Sequence, residues 1–187
     1  MRSDSKLPNV VPRREGRLAS SSRDSADRAR ILFVCHGNIC RSPMAEFVMK
    51  DLVAKAGRAD EFEIASAATS AEELGNPVYP PARRKLSEHG ISCAGKTARR
   101  LRPDDFERWD MLIGMDDWNR RNMMRVCPKG REDKVSLLLD YTDDPRDLVD
   151  PWYTNDFDAA WNDVLAGCEG LLNYLTQNER RFKIDGV

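Results

Sequence analysis

The chain has 187 residues, with 30 basic and 31 acidic side chains and a net charge of −1. That length supports one domain with a sizeable core and leaves little room for two. Near-neutral charge excludes an overall field that would draw the molecule to nucleic acid or to an anionic membrane, so any anion binding must be local. No apolar run reaches the ~18 residues of a membrane span, and the start carries no apolar signal stretch. The five cysteines, an odd number at irregular spacings, fit a reducing compartment better than a disulfide framework and leave at least one thiol free. The expectation is a cytoplasmic protein.

From Met1 to about Arg30 the sequence is rich in Ser, Arg and Asp with little apolar clustering, so residues 1–29 read as a disordered tail and residues 30–180 as a single domain. Asp4, Glu15, Asp24 and Asp27 argue against a transit peptide. Ile31-Leu32-Phe33-Val34 is a continuous apolar run, suited to a strand buried on both faces. Ser42-Pro43 then offers a polar cap and a first-turn proline, and Met44, Phe47, Val48, Leu52 and Ala56 share one helical face that stops at Gly57. Phe62-Glu63-Ile64 reads as a weak second strand, and Pro81 to His89 as a helix ended by Gly90 in a left-handed position. Met111-Leu112-Ile113 and Val135 to Leu139 are two more strands around a helical stretch from Asp117 to Val126. The longest helix follows, with Phe157, Ala160, Trp161, Val164, Leu165, Cys168, Leu171, Leu172 and Leu175 on its core face. Strand and helix alternate, which implies an α/β protein: three layers, a four-stranded parallel sheet with helices on both faces, flavodoxin-like. Ligands in such folds bind beyond the C-terminal strand ends.

Between the first strand and the first helix lies Cys35-His36-Gly37-Asn38-Ile39-Cys40-Arg41-Ser42. A loop entering a helix presents unpaired N–H groups and the positive end of the helix dipole, which together hold an anion. Gly37 allows a sharp turn there. Arg41 supplies a planar fork for two phosphate oxygens, which Lys could not copy. Cys35 at the base of the cradle is favoured as thiolate by the same donors and is a nucleophile in line with a bound phosphoryl group. A nucleotide P-loop needs Gly-x-x-x-x-Gly-Lys followed by Ser or Thr, which is absent. A zinc reading of Cys35, His36 and Cys40 lacks a second ligand cluster, since the other histidine, His89, sits in a helix. No metal or cofactor is expected.

Transfer to a thiolate leaves an oxyanion that needs a proton. Two Asp-Pro pairs, Asp144-Pro145 and Asp150-Pro151, supply candidates, and both also suit turn starts. Asp150 is preferred, because Trp152 and Tyr153 follow it and can flank a flat substrate ring. The same carboxylate can then activate water to hydrolyse the thiophosphate.

The run from Val34 to Glu46, Val-Cys-His-Gly-Asn-Ile-Cys-Arg-Ser-Pro-Met-Ala-Glu, resembles the active-site segment of low-molecular-weight protein tyrosine phosphatases. The likeness continues through Phe106 to Asp110, Met115-Asp116, Asp150 to Tyr153 and Cys168 to Leu172, covering about Ile31 to Leu175. It implies the phosphatase fold of that family and hydrolysis of phosphotyrosine in proteins and of small aryl phosphates, with phosphotyrosine-containing proteins as partners. By the same resemblance Cys35 is the nucleophile, and the backbone of His36, Gly37, Asn38, Ile39, Cys40 and Arg41 holds phosphate with the Arg41 side chain. Asp150 is the general acid, Ser42 hydrogen-bonds the thiolate, Asn38 holds the loop in shape with Ser66, and Trp152 forms a wall of the substrate pocket. Cys40 is either a reversible disulfide partner of Cys35 or a small buried side chain. The oligomeric state is left open.

Three positions depart from the pattern. His36 stands where a small or apolar residue is common, Ala68 where glycine is usual, and Lys96 where some members carry histidine. Related chemistries are distinguished by single residues. Arsenate reduction calls for Ser-Gln after the arginine and a further close pair of redox cysteines, whereas Ser42-Pro43 and the scattered Cys93, Cys127 and Cys168 stand here. Phosphoarginine phosphatases usually have Thr at the position of Ile39. A catalytically dead phosphate binder would lack Cys35 or Asp150.

Overall fold

The computed structural model describes residues 28–178. The tail expected over residues 1–29 therefore lies outside the described residues except for Arg28 and Ala29, the second of which already opens the first strand. The strands are β1 (Ala29–Cys35), β2 (Phe62–Ala68), β3 (Met111–Gly114) and β4 (Val135–Leu137), and the helices are α1 (Arg41–Lys55), α2 (Pro80–Glu88), α3 (Asp105–Arg108), α4 (Asp117–Met124), α5 (Pro151–Thr154) and α6 (Phe157–Gln177). The sheet is parallel, in the order β2-β1-β3-β4. β1 is thus central, and the chain reverses its direction of winding on either side of it. A crevice opens at the C-terminal end of such a strand.

Ile31, Leu32, Phe33 and Val34 are wholly out of solvent. Side chains alternate across a strand, so this run serves two cores. Ile31 and Phe33 pack with Met44, Val48, Val164, Cys168 and Leu171 beneath α1 and α6, whereas Leu32 and Val34 pack with Phe106, Trp109, Leu112 and Met123 beneath α3 and α4. Each such burial contributes roughly 1.5–3 kcal/mol, which is why the first strand fixes the layer order. α6 comes closest to the sheet's far end. A Cβ on Gly167 would stand 2.5 Å from Leu138 Cγ, and one on Gly170 would stand 2.1 Å from the Tyr141 carbonyl oxygen.

Gly57 and Gly90 are left-handed, at φ 69° and 74°, directly after α1 and α2, as expected of helix stops. The fourth strand is shorter than the apolar run suggests. It ends at Leu137, and Leu138–Tyr141 forms a tight helical turn, because Asp140 Oδ2 accepts from Leu137 N at 2.9 Å and draws the chain off the ladder. The start of α1 also differs. The helix begins at Arg41 with Cys40 as an N-cap that makes no side-chain hydrogen bond, so Ser42 lies inside the first turn and is free for other work. The four-residue helices α3 and α5 are too short to register as an apolar period.

Candidate active site

The loop from Cys35 to Cys40 leaves the end of β1 and enters α1 without a side-chain cap, so the first helical N–H groups face the loop. Its tight left-handed residue is Asn38, at φ 58°. Gly37 was expected to supply that turn, but its φ is not positive. What glycine provides there is room, since a Cβ would come within 3.2 Å of Glu73 Cγ. Asparagine tolerates the left-handed region better than other side chains do, because its short amide can bond locally.

Every polar atom of the buried Asn38 side chain is engaged. Nδ2 donates to Ser42 Oγ and to Ser66 Oγ, both at 2.8 Å, and Oδ1 accepts from Arg99 N at 3.2 Å. Ser66 Oγ donates onward to Glu46 Oε2 at 2.6 Å. Glu46 is paired with Lys96 at 2.9 Å and Lys50 at 2.6 Å, and Lys96 Nζ also donates to Ser66 O at 3.2 Å. Burial pushes the Glu46 carboxyl up, but Lys96, Lys50 and Ser66 outweigh it and hold it below its usual range. Ser42 Oγ, accepting from Asn38, lies 3.0 Å from Cys35 Sγ, and Asn38 N donates to the same sulfur at 3.3 Å. A continuous chain of bonds thus runs from the half-buried Lys96 and buried Glu46 charges to the Cys35 sulfur. The lysine takes its place in that chain, and Ala68 sits in β2 paired with Cys35 in extended backbone, so that position needs no glycine.

Arg41 is 2 % exposed. Nη1 donates to Asp116 Oδ2 at 2.5 Å and to Leu148 O at 3.0 Å, and Nη2 donates to Asp150 Oδ2. A guanidinium has five N–H donors, so Nε–H and the second Nη2–H, which lie on one edge of the fork, are left for two oxygens of a bound phosphoryl group. Burial disfavours the Arg41 charge, but Cys35, Asp150 and Asp116 more than offset it and hold its proton tighter than usual. Cys40 is the opposite case, since burial and then the neighbouring Cys35 push its thiol well above the ordinary range and keep it neutral.

Asp150 caps α5 by accepting from Trp152 N at 3.0 Å through Oδ1. The same cap orients its other oxygen towards Arg41. The cleft above the loop is lined by Cys35, Arg41, Asp150, Trp152 and Tyr153, together with Glu72 and Glu73. Trp152 is about half exposed and its ring lies 5.1 Å from that of Tyr79. His36 is at the mouth, with Nε2 at 3.1 Å from Glu72 Oε2, and Ile39 lies on the cleft wall.

All the residues expected at the site, from Cys35 to Ser42 with Asp150, Trp152 and Tyr153, therefore converge, and Ser66 joins them from beneath. Asp144 does not, because its carboxylate is 80 % exposed and bonded to Arg146. Cys93, Cys127 and Cys168 lie away from the cleft lining. Sequence reasoning missed the roles of Asp116, Glu46, Tyr79 and the Glu72–Glu73 rim. Asp116 left one trace, as a capping aspartate ahead of α4, where Oδ1 accepts from Asn119 N at 2.6 Å. A cysteine sulfur facing backbone and hydroxyl partners, a buried arginine fork and a carboxyl group at the cleft wall are the kinds of group that phosphoryl transfer to sulfur requires.

Comparisons with known proteins bear on the family and the fold. The family model for low molecular weight phosphotyrosine protein phosphatase matches residues 30–181. The low molecular weight protein-tyrosine-phosphatase YfkJ of Bacillus subtilis is 37% identical over 144 residues, covering 76% of this chain and 92% of its own. The low molecular weight phosphotyrosine protein phosphatase of Rattus norvegicus is 38% identical over 148 residues, with coverage of 76% and 92%. The crystal structure of YfkJ superposes with a TM-score of 0.79 at 34% identity, over 81% of this chain and 97% of the other. That of the low molecular weight protein tyrosine phosphatase from Streptococcus pyogenes gives 0.72 at 36%, over 82% and 97%.

Proposed function

Because the chain belongs to the low molecular weight phosphotyrosine protein phosphatase family, we propose that it hydrolyses phosphotyrosine in proteins, and small aryl phosphates, through a cysteinyl-phosphate on Cys35 with Asp150 as general acid and base. The observation that carries this reading is the meeting of a buried arginine fork, a capped aspartate bonded to it and one cysteine in a single cleft.

The phosphoryl group settles on the loop N–H groups and on the free edge of Arg41. Donors fixed in a site of low dielectric stabilise charge as it spreads over the transferring oxygens. Cys35 Sγ attacks phosphorus as the bond to the tyrosyl oxygen breaks, and protonated Asp150 gives its proton to that oxygen. Asp150, now ionised, takes a proton from water as it attacks the thiophosphate, which releases inorganic phosphate and restores the cysteine. Ser42 and Asn38 N receive the returning charge on sulfur. Trp152 and Tyr153 flank the substrate ring.

No helix among the described residues is long and apolar enough to cross a membrane. With all five cysteines free, the chemistry suits a reducing compartment, and the reading extends to action in the cytoplasm. Turnover of a phosphotyrosine peptide is measured in EDTA for wild type, Cys35→Ser and Asp150→Asn. Wild-type turnover is expected, with none from Cys35→Ser and a loss of about 10²–10⁴ in Asp150→Asn. An inactive wild type or an active Cys35→Ser refutes it.

A further inference from the structure

The pair Asp144-Pro145, which is not part of the cleft, belongs to the segment that delivers Asp150. Between Thr142 and Asp150 there is no helix or strand, so the acid's position depends on how this stretch is pinned. Leu148 is buried, its N donates to Met115 O at 2.9 Å, and its carbonyl receives Arg41. Asp147 Oδ1 accepts from Asp117 N at 2.9 Å. The remaining pin is Arg146. Nη1 donates to Asp163 Oδ2 at 2.8 Å and Nη2 to Asp163 Oδ1 at 2.7 Å, while Nε donates to Asp144 Oδ2 at 2.9 Å.

Asp163 stands on α6 four residues before Gly167 and seven before Gly170, which puts all three on one helical face. Those glycines are where α6 touches Leu138 and Tyr141. One stripe of α6 therefore registers the chain from Leu138 to Arg146, the run that leads to the acid. Isolated surface ion pairs hold little, but a bidentate arginine fork on a carboxylate whose side chain is only 17 % exposed fixes direction as well as distance.

We propose that Arg146, clasped by Asp163 and Asp144, is a positioning residue for proton donation: it fastens the acid-bearing segment to α6 and so holds Asp150 at the leaving oxygen without touching substrate. The proposal rests on Asp150 being the acid. Displacing a catalytic group by about 1 Å can cost up to 10²-fold.

The diagnostic is leaving-group dependence. Dinitrophenolate departs without a proton, whereas the tyrosyl oxygen needs one. We expect Arg146→Ala to lower kcat/KM on a phosphotyrosine peptide about tenfold and to change kcat/KM on 2,4-dinitrophenyl phosphate less than about twofold. Asp163→Asn should give the same pattern, the double variant should be no worse than either single one, and Arg146→Lys, keeping the charge without the fork, should fall between. Equal losses on both esters, or a loss on neither, overturn the proposal. These milder substitutions and a thermal melt guard against reading a folding defect as a kinetic one. Asp150→Asn run alongside separates the two layers. If it shows no leaving-group selectivity, the acid assignment fails and takes this proposal with it, and if wild type turns over neither ester, the phosphatase reading itself fails.

Discussion

Asp116 holds Arg41 by one terminal nitrogen, at 2.5 Å, and so decides which edge of the guanidinium faces the phosphate loop. The pair spans two crossovers of the fold, from the first turn of α1 to the cap of α4. Replacing Asp116 by Asn keeps an acceptor of the same shape but removes the charge, whereas Ala removes both. The expected losses in kcat/KM are about tenfold and about 10²-fold, with weaker inhibition by inorganic phosphate in each. Competitive inhibition constants for phosphate check this, because a defect in orienting Arg41 must appear in anion affinity as well as in turnover.

Asn38 combines a left-handed backbone with an amide whose partners lie on three separate segments. Asn38→Ala forfeits those bonds and keeps a φ of 58° that alanine dislikes. The expected cost is about 2–4 kcal/mol of stability together with a loss of at least tenfold in kcat, since Ser42 and the N–H aimed at Cys35 lose their support. Asn38→Gly relieves the backbone but not the bonds. It is expected to recover stability in part and kcat hardly at all, as a melting curve and an assay on the same sample would show.

The Glu46 carboxyl is held below its usual 4.5 by Lys96, Lys50 and Ser66, against burial. The unfolded chain takes up this proton near the ordinary value and the folded chain only at lower pH. The stabilisation is therefore complete above about pH 4.5 and is lost as pH falls through the folded value. At neutral pH Glu46→Gln is destabilising, because it leaves the poorly exposed Lys96 ammonium without its carboxylate. Denaturant midpoints of wild type and Glu46→Gln are expected to converge as the medium is taken from about pH 6 to about pH 3. A gap that stays constant or widens would be the contrary result.

Gly170→Ala tests the docking of α6. A methyl group there would lie 2.1 Å from a backbone oxygen, so either α6 or the Leu138–Tyr141 turn must move. The expected destabilisation is at least about 2 kcal/mol, read as a lowered melting temperature. Gly57→Ala is the useful contrast. Its φ of 69° is strained for alanine but nothing lies within 4 Å of the added carbon, and about 1 kcal/mol is expected.

Sequence reading placed the elements where side chains announce themselves locally. Ile31 to Val34 could be little but a buried strand, and Phe157 to Leu175 little but a helix. The candidate nucleophile and its cradle were equally legible as a motif, because one short loop carries all of it. What escaped was long-range. Nothing near Asp116 or Glu46 says that a crossover brings the first to Arg41 and that β2 brings Ser66 to the second. The sharp turn expected at Gly37 falls instead at Asn38, whose amide bonding makes the left-handed conformation tenable. Leu138 and Leu139 looked like strand, and one carboxylate at Asp140 was enough to bend them away.

Arg41 meets Asp116 and Asp150 at separations of 75 and 109 positions in the chain. Contacts so distant form late in folding, once loop closure between them has been overcome. On the proposed mechanism the nucleophile Cys35 and its cradle emerge from the ribosome early, yet the acid Asp150 and its cap emerge only when most of the chain has been made. A partly synthesised or partly folded chain thus has a sulfur and no proton donor. On that mechanism dephosphorylation is expected to start only with completion of the tertiary structure, so specific activity would double as a gauge of how many molecules in a preparation have reached it.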